Sequence, residues 1–182
     1  MPLTIQLLTN GLIIIVILVW VGYRQLTWRA VDAARMWRMP IILGIVGLAL
    51  LATTSKAHVL TGVDIAVLLV ELIVGLGLGA AMGILATFRP MTADGIRLYR
   101  EAHAGSRRPV GDVTLQTRTG WLGIVLWIVL IAVRVGVDVL AGMAGSTLAA
   151  STGVILLMVG ANRLARVAVI LYRANKVAVP VL

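Results

Sequence analysis

Residues 61–89 read TGVDIAVLLVELIVGLGLGAAMGILATFR, and the fold follows from where this run can be placed. A hydrocarbon core of about 30 Å takes about 20 helical residues, and the run is long and apolar enough to cross it. A glutamate lies inside it, followed by glycines at every fourth position. Glu71, Gly75, Gly79, Gly83 and Thr87 form one E-x3-G-x3-G-x3-G-x3-T stripe. Each i+4 step advances a helix by about 400°, so the stripe drifts by about 40° per step. It therefore follows a partner crossing at an angle, as right-handed GxxxG pairs do. Small residues there let two backbones approach closely in lipid, where van der Waals packing holds helices together. Two partners are open: another helix of the same chain, or the same stripe on a second copy in a homodimer.

The rest of the chain has the same character. Of its 182 residues, 60% are hydrophobic and 13% charged, against about 25% charged in an ordinary soluble domain. Mean hydropathy is +1.05. Apolar runs at about 3–23, 39–60, 63–88, 121–140 and 147–172 predict an all-α membrane protein, one polytopic domain over 1–182 with five transmembrane helices. The second run reaches full length only if Lys56 and His58 snorkel at the surface. The first run does not read as a cleavable signal, since residues 1–10 hold no positive charge and no clear small-residue cleavage site follows.

Arginine placement orients the bundle. Arg24, Arg29, Arg35 and Arg38 follow the first run. Arg89, Arg97, Arg100, Arg107, Arg108 and Arg118 follow the third, and Arg163, Arg166, Arg173 and Lys176 close the fifth. All of these fall on one side of a five-span plan, with Lys56 alone on the other and Arg134 within a span. The positive-inside rule then puts the N-terminus outside and the C-terminus in the cytoplasm. Residues 24–38, RQLTWRAVDAARMWR, predict a short interfacial helix. Within 89–119, Ile96 to Arg100 and Val113 to Arg118 alternate apolar with polar between turn-forming residues, which predicts a small cytoplasmic β-ribbon between the third and fourth spans. The uncharged loop 141–145 predicts a tight hairpin of the fourth and fifth spans. Gly153 and Gly160 offer one face for close packing on the fifth.

Ionisable groups within spans are costly, about 2.5–3.5 kcal/mol each at mid-bilayer on insertion scales. Glu71 lies about 12 Å and Arg134 about 9 Å below the outer ends of their helices, a difference an arginine side chain can bridge. An interhelical Glu71–Arg134 ion pair is expected, with Asp138 as a second acceptor one turn away. Its structural reading is that it sets which helices meet and in what register. Its functional reading is an ion or proton relay, or an outward-opening polar cavity, through Asp64, Glu71, Arg134 and Asp138. An arginine held by two carboxylates keeps both ionised, which opposes proton release. Asp64 has a further reading as N3 of a capping box opened by Thr61, beside that of an outward ligand for a cation or partner.

Composition excludes several classes of chemistry. With no cysteine, the chain itself carries no disulfide, thiolate metal site or thiol relay. His58 and His103 are too few and too far apart to predict a metal site. Haem ligation by His58, with Met143 as a distant second ligand, is the weakest reading of that histidine. P-loop, H-E-x-x-H and G-x-S-x-G motifs are absent, and Gly75 to Gly79 lie in mid-membrane. The net charge of +9 fits contact with anionic lipid headgroups. It does not indicate nucleic acid, because the aromatics sit beside apolar runs and not among the basic residues.

The span VELIVGLGLGAAMG, the following DGIRLYR and the arginine-bearing LWIVLIAVRVGVD, on a five-span plan, resemble the CcdC-like family of small bacterial membrane proteins, linked by name to cytochrome c biogenesis. The resemblance implies a multi-pass accessory protein of the bacterial cytoplasmic membrane, with no enzymatic activity and no cofactor of its own. Its expected partners are the anionic bilayer and a membrane protein or further copies of itself. The alternative is a small oligomeric transporter or channel using the same intramembrane charges.

Overall fold

The computed structural model describes residues 19–20, 22–57, 61–106, 111, 113–146 and 151–178. Residues 19–20 and 22–26 are helical; the rest of the apolar run 3–23, and His58, lie outside the described residues. Helices α1 (Ala33–Met36), α2 (Arg38–Ala57), α3 (Gly62–Ile84), α4 (Ala93–His103), α5 (Trp121–Met143) and α6 (Thr152–Ala178) follow. Between them run the short strands β1 (Arg29–Ala30), β2 (Thr87–Pro90) and β3 (Leu115–Arg118). Four helical stretches are long and apolar enough to cross a membrane: Ala33–Thr53, Gly62–Ile84, Trp121–Met143 and Thr152–Val177. Large apolar side chains stay exposed along them, Ile73, Ile128 and Val135 among them. Such surface suits lipid and not water.

Helix α6 is the centre of the bundle. It packs against α2 on one side and α3 on the other, and α5 packs on the far side of α3. Among the buried apolar residues Val154, Met158, Val167, Ile170 and Ala174 belong to α6. Both of its interfaces are built on glycine. A β-carbon on Gly47 would lie 2.6 Å from the Leu157 backbone, one on Gly153 2.8 Å from that of Leu51, and one on Gly160 2.9 Å from that of Gly44. On the opposite face Gly75 approaches Met158, Gly79 the Asn162 carbonyl, and Gly83 Val169. The stripe on α3 therefore meets a helix of the same chain.

Several predicted boundaries shift. The helix begun at Gly62 stops at Ile84, so Thr87 and Phe88 are strand residues and the stripe loses its last member. Pro90 keeps a helix from running on through this segment, since it cannot donate within a helix and biases Arg89 to extended backbone. The freed carbonyls of Gly83, Ile84 and Ala86 are taken by the guanidinium of Arg173, reaching across from α6. At its other end the fourth predicted span runs on through the expected loop to Met143. It closes in a Schellman turn: Gly145 (φ +83°) donates to Gly142 and Ser146 donates to Ala141. The fifth predicted span begins at Thr152 and its helix continues to Ala178, since its polar last turns stay helical beyond the apolar run. The hairpin expected of these two spans is absent as a packed pair, because α5 rests on α3 and has little contact with α6 among the described residues.

At the arginine-rich end the strands form one antiparallel sheet in the order β1–β3–β2. Arg29 pairs with Thr117, and Phe88 pairs with the same Thr117 from the other side. The predicted strand at 113–118 is there as β3, but its partners are not the expected ones. Ile96 to Arg100 are helical, within α4. Thr92 caps that helix by accepting from Gly95 N at 3.2 Å. Arg97 pairs along the helix with Asp94 and Glu101, and Ile96, Tyr99 and His103 recur at helical spacing on its less exposed face. Period 3.6 fits this segment better than period 2. The predicted interfacial helix at 24–38 is likewise interrupted, because β1 crosses it to complete the sheet.

Candidate functional site

Between α3 and α5 the polar residues form a ladder. At its top Thr61 and Asp64 make a reciprocal capping box: Asp64 N donates to Thr61 Oγ1 at 3.2 Å, and Thr61 N donates to Asp64 Oδ2 at 2.9 Å. The other carboxylate oxygen of Asp64 accepts from Ser146 Oγ at 2.5 Å. Ser146 is the residue that the Schellman turn places after α5. Two local end signals, an N-cap on α3 and a glycine C-cap on α5, are thus tied together by one buried hydrogen bond.

Two turns further in, Arg134 Nη1 donates to Glu71 Oε1. The other arm of the guanidinium, Nη2, lies 3.1 Å from Asp138 Oδ1. The structure thus brings Glu71, Arg134 and Asp138 into one triad, and keeps Asp64 apart from it in the cap. Exposure falls steeply inward: Asp138 is 30% exposed, Arg134 11% and Glu71 2%. The second oxygen of Glu71 has no hydrogen-bond partner among the described residues. Glu71 also lines a cavity of about 10 Å³ walled by Leu68, Leu72, Val154, Leu157 and Met158. That volume holds one water at most, and five of its six lining residues are apolar.

Helix α6 carries, against the glycine stripe of α3, a residue that the charge-centred reading of the sequence passes over. Asn162 is buried, and its Nδ2 donates to the Gly75 carbonyl at 3.0 Å. Its signal was present, since an amide in a membrane helix seeks a partner on another helix. The glycine stripe, Gly75, Gly79 and Gly83, is what lets that partner be backbone.

A third buried carboxylate, after Asp64 and Glu71, lies in the sheet layer. Asp32 caps α1 by accepting from Arg35 N at 3.3 Å, pairs with Arg35 Nε at 3.3 Å, and accepts from Tyr99 Oη at 3.1 Å. It borders a cavity of about 280 Å³ shared with Asn175 and Leu171 of α6 and with β3. The Tyr99 hydroxyl is pushed above its ordinary pKa, by desolvation first and then by its bond to Asp32. Among the described residues no group of three or more His, Asp or Glu is arranged to hold a metal ion.

Fold and site define a class: a helical membrane protein with a charge triad between two spans, its glutamate buried, and a small sheet at the arginine-rich end. No protein-family model, curated protein or solved structure matches the chain. What the site does is therefore argued from its chemistry.

Proposed function

We propose that the chain is a five-span accessory or assembly protein of the bacterial cytoplasmic membrane, non-enzymatic, with its N-terminus outside and its C-terminus in the cytoplasm. On this reading Glu71, Arg134 and Asp138 hold α3 and α5 in register, and the sheet with α4 is the surface that docks a membrane-protein partner. The observation that carries it is the sealing of Glu71, 2% exposed, behind aliphatic walls. An ion pathway needs water or a carrier group at its charged step, and a triad with its arginine held between two carboxylates resists giving up a proton. The positive-inside count supports the orientation. Leu98, 60% exposed on α4 and flanked by Arg97 and Arg100, is the docking residue this reading singles out.

The test pairs two measurements on the full chain. A partner that co-purifies from native membranes with the wild type is lost with Leu98→Glu, while the helix content and thermal stability of that variant are unchanged. The reconstituted protein leaves an imposed proton gradient intact. Proton flux abolished by Glu71→Gln without loss of folding overturns the proposal. It would favour the second reading, an oligomeric transporter, for which the unpartnered Glu71 Oε2 beside its small cavity is the specific support.

A further inference from the structure

Where the spans meet the sheet, arginines gather without counter-charges. Arg24 lies within the helical segment 22–26, Arg29 opens the sheet, and Arg163 and Arg166 lie three residues apart on α6. Contacts group them: Arg166 bonds Gln25, the neighbour of Arg24, and Thr119, two residues on from the Thr117 that pairs with Arg29, and Arg163 precedes Arg166 by about one helical turn. Carboxylates are missing from the group, since the salt bridges among the described residues involve Arg35, Arg97 and Arg134 only. Arg166 is held by neutral acceptors, donating to Gln25 Oε1 at 3.0 Å and to Thr119 Oγ1. Arg29 and Arg163 are exposed and make no hydrogen bond to a side chain among the described residues.

Depth is marked by aromatics. Trp20, Tyr23 and Trp121 are exposed at the same end of the bundle, and Arg24 lies 4.4 Å over the Trp20 ring. Exposed tryptophan and tyrosine at the ends of spans belong to the headgroup level. Like charges grouped at that level repel strongly unless an anion joins them. The group that lipid supplies at this depth is a phosphate, and guanidinium forks match phosphate oxygens in pairs.

We propose that Arg24, Arg29 and Arg163 form a specific site for the phosphate of an anionic phospholipid headgroup, with Arg166 as its positioning residue, braced by Gln25 and Thr119. The site needs no protein partner and stands apart from the docking role of α4. A diffuse basic face would attract lipid without choosing one position. This site is one position, because the bonds of Arg166 to Gln25 and Thr119 tie one span to the first helical segment and to the end of the sheet.

The experiment uses the full chain in neutral detergent, titrated with phosphatidylglycerol, with phosphatidylcholine or with inorganic phosphate. Bound lipid is counted by native mass spectrometry and thermal stability is followed in parallel. One phosphatidylglycerol is expected to remain bound and to raise stability, while phosphatidylcholine and inorganic phosphate do neither. Arg163→Gln and Arg29→Gln each weaken that binding by about fivefold. Arg97→Gln, which removes the same charge from the exposed face of α4, leaves it unchanged. Equal protection by inorganic phosphate would make this a free-anion site and overturn the lipid assignment. Equal binding of phosphatidylcholine, or an equal loss with Arg97→Gln, would overturn the site itself.

Discussion

Arg134 serves two carboxylates, and that asymmetry decides what its replacement does. Arg134→Leu strands the buried Glu71 and leaves Asp138 without its cation, so a loss of about 3–5 kcal/mol is expected. Glu71→Gln costs less, because Arg134 keeps Asp138 at 3.1 Å. Replacing Glu71 and Arg134 together with leucine restores part of the loss, since no deeply buried charge is left uncompensated. Equilibrium unfolding in mixed micelles ranks the three; a double variant less stable than Arg134→Leu would mean the pair stabilises on its own account. At Asp32 the expected effect depends on pH. The raised Tyr99 pKa means the folded state favours the neutral phenol, so its contribution is complete below about 10 and fades as pH rises through the higher folded value. The difference in tyrosinate absorbance between wild type and Tyr99→Phe should show one tyrosine ionising later than in the unfolded chain. These residues were unequally legible. Glu71 and Arg134 could be paired from their depths alone, because helix rise converts sequence position into depth. Asp32 and Tyr99, 67 residues apart, belong to a layer where no membrane imposes a common axis.

Among the elements, α6 is defined by what crosses it. Gly79→Ala puts a methyl group into the Asn162 carbonyl, so α3 and α6 must separate, at a cost of about 1–3 kcal/mol for overpacking. Gly77→Ala, two residues away, meets nothing within 4 Å and should be neutral or stabilising by up to about 1 kcal/mol through helix propensity. Thermal unfolding of the two variants separates packing from propensity; equal effects would mean that close approach along the stripe is unimportant. The contrast also shows what a small-residue pattern can tell. Gly75, Gly79 and Gly83 mark a packing face, while Gly77 in the same run does not, and period four distinguishes them. The pattern does not say which helix arrives. Partner choice rests on Asn162 reaching the Gly75 carbonyl and on Arg173 capping α3, two polar contacts near opposite ends of one crossing. Alternation misled at 96–100 because Ile96 and Leu98 alternate with arginines while Ile96, Tyr99 and His103 also satisfy helical spacing. Only the Thr92 cap decides between the two.

At the scale of the molecule, the bundle keeps its charges at two levels: a Glu71–Arg134 pair with Asp138 beside it inside, and an excess of arginine around the sheet. Segregation of this kind is legible from composition and position together, because the bilayer penalises charge at one depth and tolerates it at another. Topology adds a parity argument. If the run 3–23 spans, residue 4 lies on the side opposite the sheet; if it does not, the side of residue 4 is not tied to the sheet. The chain has no native cysteine, so Thr4→Cys, Gly105→Cys and Met143→Cys each report one position without background. Gly105 follows α4 beside the sheet, and Met143 is the exposed last residue of α5. In intact cells a membrane-impermeant thiol reagent should label Thr4→Cys and Met143→Cys, while Gly105→Cys reacts only after the membrane is opened. Labelling of Gly105→Cys from outside would reverse the orientation that the arginines predict. Protection of Thr4→Cys alongside Gly105→Cys would leave four spans, with an even number of crossings between the two ends and both ends on the arginine-rich side.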